Sequence, residues 1–433
     1  MNTRKSGVLA ALLVSAMSVG ANAQTVPVDP NTFLTFLEHF QVEDSTTASA
    51  YYRAVDPDGK RTTAKAWLKN AGFIADEANY VLSGSKDNPG DDEARGNAYA
   101  FALYRNAADL GFVRRMFIRC VPTDCATAKN PNVYTYVENY AYREDLADPF
   151  EDGKNRTNRI ATVAFDWVSA ADGSDPTKKF GTIYAIRGDD QRDPDGVPFA
   201  PNLDGRGAKQ NPGVCLACHG GFPKALVNGQ YPRKGRIDGF KFLPFDLENF
   251  EFSTDPDLTR AALEPAFKRF NQAVLRTHKT GRSVDDQGVL RLAAGRELIE
   301  GWYGESSSLP GDFNSHFIPK GWRESPDGPA PPGSENLYLT TIAPACRACH
   351  SQQEPALDFA TEKGFRALKD ATKELVMRVE CGLGGSGTGS RDDRKVMPLA
   401  LLTYERFWQS HSPSQVEPLK AYLGLSGTSL CSQ

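Results

Sequence analysis

Two short segments concentrate the reactive side chains of this chain. "CLACHG" runs from Cys215 to Gly220, and "CRACHS" runs from Cys346 to Ser351. With eight cysteines and six histidines in 433 residues, roughly 0.002 chance matches to C-x-x-C-H are expected, and two are present. Two thiols separated by two residues can reach one edge of a porphyrin and add across its vinyl groups. A histidine next in line is carried by the same turn to the iron. The pattern therefore predicts two covalently attached haem c groups. Cys215, Cys218, Cys346 and Cys349 are the thioether positions, and His219 and His350 are the iron ligands. A zinc site would need further Cys or His partners at short spacing, and none is near. A thioredoxin-like dithiol would need a βαβ context, which the flanking sequence does not indicate.

The elements that must hold these clusters change character along the chain. From about Asn31 to Gly111 the period is helical. "NTFLTFLEHF" puts Phe33, Phe36, Leu37 and Phe40 on one face, "TTAKAWLKNAGF" stops at Gly72, and "DDEARGNAYAFALYRNAADLG" reads as one further helix. Then "FVRRMFIRC", "NVYTYVENYAY", "RIATVAFDWVSA" and "KFGTIYAIRG" turn β-branched and aromatic. Val163, Phe165 and Trp167 alternate on one side. These four runs predict an antiparallel sheet. A turn-rich stretch leads into Cys215. "GFKFLPFDLENFEFS" follows it, apolar but irregular, as expected of a segment wrapping a sheet or a haem edge. "EPAFKRFNQAVLRTH" and "QGVLRLAAGRELIEGWYG" predict two helices, the second with Leu290, Ala294, Leu298 and Trp302 on one face. "SPDGPAPPG" is the clearest linker. The expected organisation is a leader at 1–23, an α+β domain at 24–213, a first haem-binding region at 214–324, a linker at 325–333 and a mainly α unit at 334–433. The fold class is thus α+β with an antiparallel sheet, followed by mainly α haem-binding units.

The last unit carries a family resemblance. "ENLYLTTIA" precedes Cys346. "EKGFRALKDATKELVMRVE", a Gly/Ser-rich loop, "RKVMPLALL" and "SQVEPLKAYLGL" follow. This order resembles a class I cytochrome c domain, with an N-terminal helix, haem motif, Met-Pro loop and closing C-terminal helix. The resemblance implies that Met397 is the distal ligand of the second haem. Its soft, neutral sulfur favours ferrous iron. The alternative for Met397 is a gap-filling core residue. Met377 would sit within a helix, and His411 lies in a polar turn. The long "GLGGSGTGSRDDR" insertion departs from the simplest form of the family.

The distal side of the first haem stays open. Met116 on a strand, His278 at a helix end, His316 in a loop and His39 on an amphipathic helix are the candidates, with Met116 also readable as a sheet-core residue. An iron with no protein ligand there is the fifth option. Arg114 and Arg115, beside Met116, can pair with haem propionates or stand as solvated sheet arginines. Lys234 and Arg236 in "YPRKGRIDG" form a small basic docking patch or ordinary mixed surface charge.

The N-terminus has a basic "MNTRKSG", an apolar "VLAALLVSAMSVG" and an "ANA" cleavage signal, so a mature chain beginning at Gln24 is expected. No later apolar run has spanning length, so no transmembrane segment is expected after cleavage. In an oxidising compartment an even remainder of four cysteines suggests disulfides; of the three possible pairings, Cys120 with Cys125 and Cys381 with Cys431 is favoured on proximity, and free buried thiols are the alternative. A formal charge of −4 with nearly balanced signs argues against a nucleic-acid partner. No P-loop, dinucleotide fingerprint or Ser-His-Asp array stands out. The dihaem cytochrome resemblance implies an exported, periplasmic bacterial protein. It would move electrons between its two haems and a periplasmic or membrane-bound redox partner. The alternative is a peroxidase-like dihaem oxidoreductase with a reactive, open first haem.

Overall fold

The structure is a computed structural model that describes residues 45–81, 88–169, 179–187, 203, 209–221, 224–237, 239–278, 283–284, 290–291, 293–325, 328–351, 359–370, 372–373, 376 and 400–425. Three short helices open it: α1 (Ser45–Val55), α2 (Ala64–Asn70) and α3 (Pro89–Asn97). Their starts are chemically marked. Thr63 accepts a hydrogen bond from the Ala66 amide, and Asn88 accepts one from the Asp91 amide ahead of Pro89. Both side chains satisfy amides that have no partner within the helix.

A six-stranded antiparallel sheet follows: β1 (Ala100–Asn106), β2 (Val113–Val121), β3 (Asn132–Tyr140), β4 (Arg159–Ser169), β5 (Lys179–Arg187) and the short β6 (Phe250–Glu251). The spatial order is β5-β4-β3-β2-β1-β6. All four expected strands form. The expected helix through 91–111 does not. It ends at Asn97, and β1 occupies its second half. "GN" halts the helix, and the following "YAFALYRN" alternates ring and small side chains across the pleat, a pattern satisfied by pairing with β2. Likewise the helix expected from 287 starts only at Ala294, because Leu290 and Arg291 form a two-residue strand with Ser283 and Val284.

The pleat sorts side chains into two layers. One row crosses Ile118, Thr135, Phe165 and Ile183; the next crosses Phe117, Tyr136, Ala164 and Tyr184 on the opposite face. The second face is covered by the N-terminal helices. Trp67 packs edge-on to Tyr134 and Tyr136, and Phe73 packs on Tyr136. This face also buries a charge cluster. Glu138 accepts from Arg115, Arg156, Arg159, Tyr80 and Tyr140. Arg115 also pairs with Asp91 at 2.6 Å. Arg115 is therefore neither solvated nor available to a propionate, in contrast to both sequence expectations.

The first face is covered by α6 (Arg260–Leu275), whose Phe267 packs on Tyr104 of β1. The chain contributes α4 (Glu151–Asn155) between β3 and β4, and α5 (Gly213–His219) between β5 and β6. The C-terminal part adds α7 (Ala294–Trp302), α8 (Lys320–Arg323), α9 (Ser334–Leu337), a π-helical segment (Tyr338–Cys346), α10 (Arg347–His350), α11 (Glu362–Ala367), α12 (Leu401–Gln409) and α13 (Val416–Leu423). One hydrophobic core runs from Ala50 to Phe317 and joins the sheet to α5 and α6. A second core gathers the C-terminal helices and recruits Trp322 from before the 325–333 segment. Trp322 stacks near Tyr338 and donates its indole N–H to the Phe359 carbonyl at 2.9 Å. The α+β class with an antiparallel sheet is thus the observed architecture. Cys120 and Cys125 form the expected disulfide at the end of β2.

Candidate functional site

Both C-x-x-C-H clusters lie on short helical turns. Pro212 precedes α5, and Gly220, at φ +75°, ends it. The left-handed backbone that Gly220 supplies is accessible to glycine at no steric cost. It lets the chain leave the helix immediately after His219. The chain then returns as a strap over 240–245. Lys241 donates its amide to the His219 carbonyl at 2.9 Å, and the His219 Nδ1 pairs with the Lys241 carbonyl at 3.0 Å. This fixes the ring orientation and directs Nδ1–H to the carbonyl. Nε2 then carries the lone pair, the arrangement a metal-ligating imidazole uses.

Three aromatic rings hold the imidazole further. Phe240 stacks on it at 5.5 Å and 17°, and Phe165 of β4 meets it edge-on at 4.6 Å. Phe242 lies behind Phe165. Phe240 fits because β5 carries Gly181, where a Cβ would stand 1.7 Å from the ring. Burial, partly offset by the Lys241 carbonyl, pushes the His219 imidazole down to about 4. The ring is therefore neutral at neutral pH, the form that binds metal. Arg114, on the same sheet face, adds to this depression. Its guanidinium pairs with Asp109 at 3.1 Å.

The second cluster repeats this plan with different residues. His350 accepts the Phe359 amide on its carbonyl at 3.2 Å, and the Phe359 ring stacks on the imidazole at 4.0 Å and 8°. Each histidine thus has a returning strap whose amide binds its carbonyl and whose phenyl ring lies along its imidazole.

The two clusters also meet. α10 packs against α5, and the sulfurs of Cys218 and Cys349 are 3.1 Å apart. Arg347, between the cysteines of the second cluster, reaches back to Asp246, the residue just after the first strap. Two of its nitrogens lie 2.8 and 2.6 Å from Asp246 Oδ2, and a third lies 3.2 Å from the Tyr338 hydroxyl. All three side chains are buried, and Trp302 covers the guanidinium.

The thiols sit in desolvated surroundings. Burial pushes Cys215 and Cys346 up to about 12. Contact with Cys349, followed by burial, raises Cys218 well above the usual thiol range. Yet all four cysteines and both histidines keep accessible surface. Two thiols on one turn, a neutral imidazole with its Nε2 lone pair available, and an enclosed aromatic lining are the groups a covalently held porphyrin requires. Among the described residues, no group of three or more His, Cys, Asp or Glu side chains is placed to hold a bare metal ion.

The other sequence candidates are scattered. Met116 lies on the same sheet face as Phe165, with its sulfur 3.9 Å from the Thr135 hydroxyl. His278 is buried, and its Nε2 pairs with the Phe242 carbonyl at 3.0 Å, so the first strap holds both imidazoles through adjacent carbonyls. His316 is part of an exposed loop beside Ser315, and His411 is exposed. His39, Met397 and the Cys381–Cys431 pair lie outside the described residues. Sequence reasoning missed Gly181, Asp246, Arg347 and Phe359. Only the aromatic run after Gly239 signalled a strap. Among the described residues, no helix is long and apolar enough to cross a membrane.

No family profile, curated protein or solved structure matches the chain.

Proposed function

We propose that this protein is an exported dihaem c-type cytochrome that passes electrons between two covalently bound haems and a periplasmic or membrane-bound redox partner. Cys215 and Cys218 would hold one haem, and Cys346 and Cys349 the other. His219 and His350 would be the proximal ligands, with Met397 opposite His350. When bound, the haems supply reversible one-electron chemistry at iron. The chain's own residues orient the imidazoles, keep His219 neutral and pack phenyl rings against both histidines.

The observation that carries this reading is the contact between the clusters. Two C-x-x-C-H turns, remote in sequence, stand side by side with sulfurs 3.1 Å apart. Independent structural roles would not require that proximity, whereas electron transfer between two centres favours it. The test is maturation in a host with haem-ligation machinery, followed by acid-acetone extraction. Two haems should remain on each chain, and Cys215→Ser/Cys218→Ser should retain only one. Complete extraction of the haem, or a colourless product, overturns the proposal. Carbon monoxide distinguishes the carrier from an oxidoreductase: a carrier with two six-coordinate haems leaves its reduced spectrum unchanged.

A further inference from the structure

We propose that Asn271, in the last turns of α6, and His278, just beyond its end, are positioning residues for His219. They hold the 240–245 strap so that the Lys241 carbonyl stays aligned with the His219 ring, and they thereby set the redox potential of the first haem. The inference rests on the functional reading above, and its test separates the failure of one from the failure of the other.

The strap is gripped by two elements. Towards α5, Lys241 bonds His219 through its amide at 2.9 Å and its carbonyl at 3.0 Å. Towards α6, the His278 Nε2–H donates to the Phe242 carbonyl at 3.0 Å. The Asn271 side chain brackets Phe245: Oδ1 accepts its amide and Nδ2 donates to its carbonyl, both at 2.9 Å. Phe270 stacks on the Phe245 ring at 4.8 Å. Consecutive carbonyls, those of Lys241 and Phe242, thus serve two imidazoles on two different elements, so a displacement at one bond is felt at the other.

The end of α6 is itself fixed. Phe267 packs on Tyr104 of the sheet at 5.1 Å, the Arg296 guanidinium of α7 donates to the Leu275 carbonyl at 2.9 Å, and the Thr277 hydroxyl donates to the Val274 carbonyl at 2.8 Å. Asn271 and His278 are buried. Burying an amide or an imidazole is costly unless its hydrogen bonds are made, and both side chains make theirs to the strap backbone. Burial, helped by Lys241 and Arg296 and opposed by the Phe242 carbonyl, pushes the His278 imidazole down to about 4. At neutral pH it is therefore uncharged and keeps one N–H for that carbonyl. Outer partners of a ligating histidine fix its ring and raise its basicity, and their loss changes metal affinity by about 10–100-fold. A slack strap weakens the His219 Nδ1–H bond to Lys241, so the imidazole gives less electron density to iron. The ferric form then loses stabilisation and the midpoint rises.

The test is a redox titration of the mature, haem-loaded protein carrying His278→Phe, His278→Gln or Asn271→Ala, with the haems counted by acid-acetone extraction. Cys346→Ser/Cys349→Ser, which retains only the first haem, identifies the midpoint that belongs to it. Phenylalanine fills the space of the imidazole without its N–H, whereas glutamine keeps a donor. His278→Phe and Asn271→Ala should each shift the ferric–ferrous equilibrium of the first haem by about tenfold, a rise of about 59 mV for one electron, and leave the second unchanged. His278→Gln should stay near the native midpoint. Asn271→Ala decides the matter if His278→Phe does not fold. Absence of haem from Cys215 and Cys218 in the native protein removes the functional reading and this inference with it. With both haems in place, an unchanged midpoint in His278→Phe and Asn271→Ala, an equal shift of both haems, or as large a shift with glutamine overturns this inference alone. So does carbon monoxide binding gained by reduced His278→Gln and absent from the native protein, which would make His278 an iron ligand.

Discussion

Asp246→Asn should unlatch the two C-x-x-C-H turns. In the native protein the Asp246 carboxylate is buried and accepts two nitrogens of Arg347, at 2.8 and 2.6 Å. It also accepts the Asn249 amide at 3.1 Å and the Glu248 backbone amide at 3.2 Å. The asparagine substitution keeps the shape and removes the charge. Arg347 is then a buried cation facing a neutral amide, with the Tyr338 hydroxyl and the rings of Tyr338 and Trp302 as its other described partners. Breaking a buried ion pair from one side costs about 3–5 kcal/mol, most of it the penalty of an uncompensated charge. The retained amide oxygen can still accept one bond, so the lower part of that range is expected, about 3 kcal/mol. Removing both charges relieves that penalty, so Asp246→Leu/Arg347→Met should lie nearer the native protein than either single replacement. The assay is a double-mutant cycle by urea unfolding, following tryptophan fluorescence, to which Trp302 beside Arg347 contributes, as the local probe and far-UV ellipticity as the global one. A coupling of at least about 2 kcal/mol between positions 246 and 347 is expected. Additivity within about 0.5 kcal/mol would refute the claim that this pair holds the clusters together.

Acid stability should be biphasic. Burial raises the Asp166 carboxyl, and Arg61 and Trp67 offset this only in part, leaving it at about 6. A folded pKa above the unfolded value favours the native state at low pH, so this contribution is lost as pH rises from about 4 through 6; it amounts to about 3 kcal/mol, and Asp166→Asn should flatten that interval. Glu138 behaves oppositely. Burial works to raise it, but Arg156, Arg115 and Arg159 prevail and hold it down to about 2. Its contribution, also about 3 kcal/mol, is present above about pH 4.5 and lost as pH falls toward 2, so urea midpoints should collapse in that window. Gly181→Ala would drive a methyl group into Phe240, destabilising by about 1–3 kcal/mol and shifting the redox midpoint of one haem; an unchanged midpoint and unfolding curve would contradict the strap packing. Met397→Ala should lower the potential of one haem and spare the other, and an unaltered redox titration rules Met397 out as a ligand.

The sequence carried the local features well. Four strands were legible because Val163, Phe165 and Trp167, and their equivalents on β2, β3 and β5, alternate with period two. The Cys120–Cys125 bridge was legible as the favoured of three pairings because its two cysteines are only five positions apart. What escaped depends on contacts distant along the chain. β1 looked helical because "AYAFALYRN" has good helix formers, and only its partner β2 turns it into a strand. Arg115 looked like a surface residue because its partners, Asp91 and Glu138, lie 24 and 23 positions away. The straps over His219 and His350 rest on single phenylalanines with no spacing rule, and Arg347 is an unspecified position within its own motif.

β4 serves two neighbourhoods with adjacent residues. Phe165 presses on His219, while Asp166, the next residue, anchors Arg61 on the far side. Which residue serves which neighbourhood is purely a matter of odd and even numbering along the strand. Deleting a single residue upstream within β4 would bring the Asp166 carboxylate to the imidazole and Trp167 to the guanidinium, whereas inserting one would bring Ala164 and Phe165 to those places. Two-residue changes preserve that parity. Length variation in this strand should therefore be tolerated only in even steps, and any natural or engineered version with an odd step must have rebuilt both sides of the sheet.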